Sequence, residues 1–126
     1  MGIAVVIDSC LFIDYFRSKN KEKLFAELNR QPRKLYVSAV AKYEVLSGAK
    51  DESVSEWRRI FENITVLAFD DSTIMTARDI CRQLKRDNKL IDLGDILIAA
   101  TAIANDLPLA TFNRKHFERI NGLRLV

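Results

Sequence analysis

The chain predicts an α/β domain with a mostly parallel sheet, and three observations carry that expectation. Residues 3–7 (IAVVI) form an unbroken, β-branched run, the composition of a strand covered on both faces. Short apolar runs of this kind then alternate with stretches whose apolar residues recur at helical spacing, the pattern of strand–helix–strand units. Residues 96–104 are apolar almost all round and lead through Pro108 into another short apolar run, as a buried helix feeding a strand would.

The first strand stops abruptly at Asp8-Ser9. Leu11, Phe12, Tyr15 and Phe16 then repeat at helical spacing before a polar break at Arg17, Ser18, Lys19 and Asn20. A second helix is expected over 21–29, with Leu24, Phe25 and Leu28 on one face and Pro32 closing it. A second strand follows at 35–37, and Ser38 is placed to cap a helix over 39–49 that carries Glu44 among Val40, Ala41, Val45 and Leu46. Val54, Trp57, Phe61 and Ile64 mark another amphipathic helix, and 64–69 reads as the third strand. Asp71-Ser72 is expected to cap a long helix with a core face of Ile74, Ala77, Ile80, Cys81 and Leu84. Asp92 is placed to cap the buried helix, 107–111 is the fourth strand, 114–119 a short helix, and 123–126 a fifth strand.

At 126 residues the chain is expected to be a single domain over 1–126, and no repeat, linker or low-complexity segment divides it. No apolar run approaches the ~20 residues of a membrane helix. The N-terminus reads as a strand rather than a secretory signal, and Gly2 lacks the Ser or Thr at position 6 that myristoylation calls for. Cys10 and Cys81 have no metal-ligand or redox spacing and fit reduced thiols in a cytoplasmic protein. A net charge of +3 is compatible with a nucleic-acid partner without requiring one.

In such a sheet, functional groups gather at the carboxyl ends of the strands. Asp8 ends strand one, Glu44 sits on the helix after strand two, and Asp95 opens the helix that leads into strand four. All three reach one crevice if strands one and four are neighbours. Carboxylates crowded together raise one another's pKa, and a divalent cation with hard oxygen ligands, Mg²⁺ or Mn²⁺, removes that penalty. Each acid also has a plainer reading. Asp8 can cap the first helix, Glu44 can face solvent or pair with a lysine, and Asp95 can complete a capping box opened by Asp92. His116, beside Lys115 in a polar turn, reads as a surface histidine.

Three segments, IDSCLFIDYF at 7–16, VSAVAKYEVLSGA at 37–49 and DILIAATAIANDLPLATFNRKHFERINGLRL at 95–125, resemble PIN-domain proteins of the VapC type, the ribonuclease toxins of toxin–antitoxin pairs. The resemblance spans nearly the whole chain. It implies a PIN-like α/β/α sandwich with four to five strands in the order 3-2-1-4-5. It also implies an Mg²⁺- or Mn²⁺-dependent endoribonuclease acting on structured RNA such as tRNA. Family members commonly form homodimers and are inhibited by a cognate VapB-like antitoxin. Carried onto this sequence, the metal-binding acids fall on Asp8, Glu44 and Asp95, and the family's Ser and Thr on Ser9 and Thr111. The family often places a fourth acid two or five residues beyond that Thr, where Asn113 and His116 stand here, which points to a one-metal site. Asn113 is neutral and can assist through its amide. Arg17, Lys19, Arg114 and Lys115 are the basic residues placed to contact RNA phosphates. The face of Leu11, Phe12, Tyr15 and Phe16 is a candidate antitoxin groove or dimer contact, with core packing expected for at least two of them.

Two other classes compete. A catalytically silent PIN module would bind RNA or a protein partner without cleaving, a reading the missing fourth acid keeps in play. A phospho-acceptor signalling domain also places paired acids at strand ends, and Asp70 and Asp71 meet that demand, but 123–126 lacks the lysine such a site needs.

Overall fold

β1 (Ala4–Ile7), β2 (Lys34–Ser38), β3 (Thr65–Leu67) and β4 (Leu109–Ala110) form one sheet in the order β3-β2-β1-β4, with every pairing parallel. The computed structural model describes residues 4–17 and 34–126, so the helix expected over 21–29, with its Pro32 stop, lies outside the described residues. Val5, Val6 and Ile7 are fully buried, as the unbroken apolar run required of a strand with helices on both faces. The fifth strand is reduced to a single parallel bridge between Leu109 and Leu125. Leu109 N donates to Arg124 O at 2.9 Å and Val126 N to Leu109 O at 3.0 Å, so this segment does run beside β4, as the expected strand order places it.

The helices are α1 (Ser9–Arg17), α2 (Ala39–Gly48), α3 (Val54–Phe61), α4 (Asp71–Arg86), α5 (Leu93–Ala104) and α6 (Arg114–Phe117), with a 3₁₀ turn at Asp51–Ser53. Ser38 caps α2 as expected, its hydroxyl accepting from Ala41 N at 3.0 Å. Trp57 of α3 stacks on Phe16 at 4.8 Å between ring centroids and on Phe61 at 5.9 Å, and meets the edge of Phe12 at 6.4 Å. That aromatic cluster ties α1 to α3, and Leu11 and Phe12 are fully buried in the core.

α4 departs from the expected pattern at its cap and on its inner face. The cap is Asp70, not Asp71 or Ser72: its carboxylate accepts from Thr73 N at 3.0 Å and Thr73 Oγ1 at 2.9 Å. These bonds favour the charged form and lower its pKa. Ile74 is 45% exposed, while Thr73 and Gln83 are buried in its stead. Both buried polar side chains are satisfied. Gln83 Nε2 donates to Asp87 Oδ2 at 2.9 Å and Arg119 O at 2.8 Å, and its Oε1 accepts from Asn121 N at 3.0 Å.

α5 is the buried helix, with Ile96, Ile98, Ala99, Ala100, Thr101 and Ala102 inside. It ends in a left-handed residue, Asp106 at φ 53°, and Leu107 N turns back to Ala102 O at 2.9 Å. Pro108 then delivers the chain into β4. With β1 flanked by β2 on one side and β4 on the other, the chain order reverses between β1 and β4. The carboxyl ends of these two strands are thus the switch point, the place where open α/β sheets put their ligand sites.

Candidate functional site

Asp8 stands one residue beyond β1 and Thr111 one residue beyond β4, so the switch point brings them together. Asp8 is 3% exposed. Its N donates to Ala110 O at 3.0 Å, which stitches the two strand ends. Its Oδ1 accepts from Ser9 N at 2.8 Å, and its Oδ2 accepts from Thr111 Oγ1 at 2.7 Å and Cys10 Sγ at 3.3 Å. Thr111 Oγ1 in turn accepts from Asn113 N at 2.9 Å. The carboxylate is held in one orientation by three residues, none of them basic.

Glu44 projects from the exposed side of α2 toward the start of α5. A Cβ at Gly94 would stand 2.9 Å from Glu44 Oε2, so the glycine leaves the space the carboxylate occupies. Glu44 has a raised pKa, first from desolvation and then from the charges of Asp8 and Asp95, with a hydrogen bond from Ser9 partly opposing them. The pKa of Asp95 is also raised, by burial first and by the Asp8 charge next, while His116 pulls it down. Glu44 thus feels the charges of both other acids, and Asp95 feels that of Asp8. Among the described residues no Lys or Arg pairs with any of them.

The capping-box reading of Asp95 does not hold. Asp92 occupies the cap position with extended backbone, but its side chain makes no capping bond. Asp95 instead turns toward α6: its Oδ2 accepts from Asn113 Nδ2 at 3.4 Å and faces His116 Nδ1 at 3.5 Å. Asn113 Nδ2 also lies 2.8 Å from His116 Nδ1. With the ring proton on Nε2, Nδ1 accepts from that amide; with both nitrogens protonated, Nδ1 donates to Asp95 instead. His116 keeps the surface position expected, its side chain 38% exposed, while its Nδ1 faces Asp95. The sequence held the signal, because Asn113 and His116 are three apart at a helix start and share a face. Cys10 was also missed. Burial and the Asp8 charge raise its thiol to about 11, so it stays protonated and serves Asp8 as a hydrogen-bond donor.

The basic residues separate. Arg114 is committed elsewhere, its Nη1 donating to Val126 O at 3.0 Å and its Nε lying 3.9 Å from Glu118. Lys115 is exposed, Arg17 is exposed at the end of α1, and Lys19 lies outside the described residues. Arg17 and Glu44 also border a groove of about 520 Å³, whose apolar wall is formed by Ile13, Phe16, Val45 and Trp57. Of the four residues expected on that face, Leu11 and Phe12 are core and Phe16 lines the groove.

The donor set suits a hard divalent cation: carboxylate oxygens only, mutually repelling, with an amide and an imidazole beside them. Among the described residues no three His, Cys, Asp or Glu side chains converge tightly enough to enclose an ion. An ion that keeps several waters and takes one or two carboxylates directly, as Mg²⁺ does, is matched to acids that approach without closing.

The PIN domain family model matches residues 5–123. Ribonuclease VapC1 of Methanocaldococcus jannaschii is 32% identical over 124 residues, covering 96% of this chain and 85% of that protein. Ribonuclease VapC10 of Mycobacterium tuberculosis is 30% identical over 120 residues, covering 95% and 90%. In three dimensions the chain is similar to DNA-bound VapBC from Salmonella typhimurium, with a TM-score of 0.87, 22% identity and coverage of 98% and 97%. It is also similar to VapBC-1 of nontypeable Haemophilus influenzae, with a TM-score of 0.86, 23% identity and the same coverage.

Proposed function

This chain belongs to the PIN-domain family, with VapC-type proteins as its relatives, and on that premise we propose that it is a divalent-metal-dependent endoribonuclease, the toxin of a toxin–antitoxin pair. The observation that carries the reading is the Asp8 carboxylate held by Thr111 at the switch point between β1 and β4, with Glu44 and Asp95 close enough to feel its charge. Asp8, Asp95 and Glu44 are the residues that would hold Mg²⁺ or Mn²⁺. When bound, the cation supplies a lowered pKa for water and stabilisation of charge on the phosphodiester. The chain's own groups do the positioning. Thr111, Ser9 and Cys10 fix the Asp8 carboxylate, and Asn113 and His116 fix Asp95. Structured RNA, with tRNA as the leading class, is the substrate this reading assigns.

The apolar groove ending at Glu44 suits a segment of a VapB-like antitoxin. An occupant lying along Phe16 and Trp57 reaches the rim of the acidic crevice, so docking and inhibition become one event.

Cleavage of a labelled RNA in Mg²⁺ or Mn²⁺, lost in excess EDTA and restored by readding the cation, is the expected result. Cleavage that persists in EDTA would sink the metal-dependent reading. No Mn²⁺ binding by calorimetry near millimolar concentration would favour the silent binding module.

Gly94→Ala is expected to separate activity from stability. The added Cβ meets Glu44 Oε2 at 2.9 Å and turns the flexible carboxylate aside. Alanine is also the better helix former by ~1 kcal/mol. Cleavage should fall on the order of tenfold or more, since displacements near 1 Å cost that much, while the melting temperature holds or rises. Unchanged cleavage would remove Glu44 from the site.

A further inference from the structure

A second cleft, about 420 Å³ in volume, lies between the loop that leads into α5 and the α6 segment. It is lined by Asn88, Lys89, Lys115, Glu118 and Arg119. Its α6 wall leads into the acidic site, where His116 Nδ1 lies 3.5 Å from Asp95 Oδ2. Lys89 is six residues before Asp95 on one wall, and Lys115 is flanked by Arg114 and His116 on the other, just beyond Asn113. On the α6 wall the cleft therefore begins one residue from His116.

Its shape is fixed by the backbone. Asn88 takes the left-handed conformation at φ 54° and Lys89 N returns to Leu84 O at 2.9 Å, so α4 closes with a capped turn that sets the direction of Lys89. Arg119 Nη1 donates to Leu90 O at 3.3 Å and ties the two walls together. That bond uses one arm of a guanidinium that carries five donors. The one carboxylate in the lining, Glu118, already lies 3.9 Å from Arg114 Nε. Among the described residues no acid pairs with Lys89, Lys115 or Arg119.

We propose that this cleft is a phosphate-binding track that holds the RNA backbone to one side of the scissile bond. The proposal rests on the nuclease reading and deepens it. Cations left unpaired in a concave, backbone-fixed surface attract a polyanion, and the abutting acids would repel the same backbone unless it were anchored nearby. Lys89, Lys115 and the unused arm of Arg119 present donors to phosphate oxygens, contacts that position a strand without reading its sequence.

The test measures binding apart from cleavage. A fluorescein-labelled RNA hairpin is titrated in EDTA with the parent protein and with Lys89→Gln/Lys115→Gln, following anisotropy across a salt series. The expected result is affinity weakened about tenfold and a salt slope reduced by about 1–2, the value for two lost phosphate contacts. A control pair of exposed arginines on α3, Arg58→Gln/Arg59→Gln, should change neither quantity appreciably, and melting curves confirm that every variant is folded. Unchanged affinity in the lysine pair overturns the proposal, as it would if an acidic peptide were the occupant. An equal fall in the arginine pair also overturns it, because net charge alone would then be responsible. If the parent cleaves in Mg²⁺ while the lysine pair binds normally, the nuclease reading stands and the track falls. If no metal supports cleavage but only the lysine pair loses binding, the track stands and the nuclease reading falls.

Discussion

Asp8→Asn is expected to reduce RNA cleavage on the order of a hundredfold to a thousandfold, the usual cost of removing one preorganised electrostatic group, and to leave the fold intact. Asparagine is isosteric and can keep two of the three side-chain contacts, losing the bond that Cys10 Sγ donates to Oδ2. Its Oδ1 still accepts from Ser9 N, and its amide can donate to Thr111 Oγ1, which has lone pairs to receive it. Asparagine also caps a helix as well as aspartate does. Neutralising Asp8 further relieves its repulsion of Glu44 and Asp95, whose pKa values its charge helps to raise. Stability should therefore hold or rise while activity collapses, the split expected of a residue kept for chemistry. Asp95→Asn should behave alike, since it keeps size and loses charge. Cleavage assays paired with thermal melts check both variants, and retained cleavage in either would defeat the proposed site.

Much of this site could be read in the chain because it is built at element ends. An acid directly after a buried strand has few places to go, so the place of Asp8 follows from the strand it ends, whereas the part given to Thr111 is what the resemblance implies. Asp95 was ambiguous in sequence, since a carboxylate in the first turn of a helix suits a capping box equally well. The absence of a capping bond from Asp92 removes the capping box, and Asn113 and His116 stand at the Asp95 oxygen instead. Thr73 and Gln83 are polar residues that face inward with their hydrogen bonds satisfied, and hydrophobic periodicity passes over such residues. Ile74 went the other way, because a helix face set by Asp70 and Thr73 rotates it outward.

Millimolar Mn²⁺ or Mg²⁺ is expected to raise the melting temperature of this chain, and to do so far less in Asp95→Asn. A ligand that binds only the folded state at ten times its Kd stabilises it by about 1.4 kcal/mol, roughly 5 °C for a domain of this size. The pH dependence gives the check on mechanism. Without a cation, Asp95 and Glu44 have folded pKa values raised above their ordinary 3.8 and 4.5. The folded state then keeps protons that the unfolded state releases, so these two groups favour folding at low pH and that contribution is lost as pH rises through the raised values. Asp70, with its pKa lowered, contributes the opposite trend below 3.8 and cancels in a comparison of parent with Asp95→Asn. A bound cation favours the ionised carboxylates, so it should abolish the loss at rising pH in the parent and have little effect on the variant, whose own slope is already flatter. Equal stabilisation of both proteins by Mn²⁺ would place the cation elsewhere on the surface.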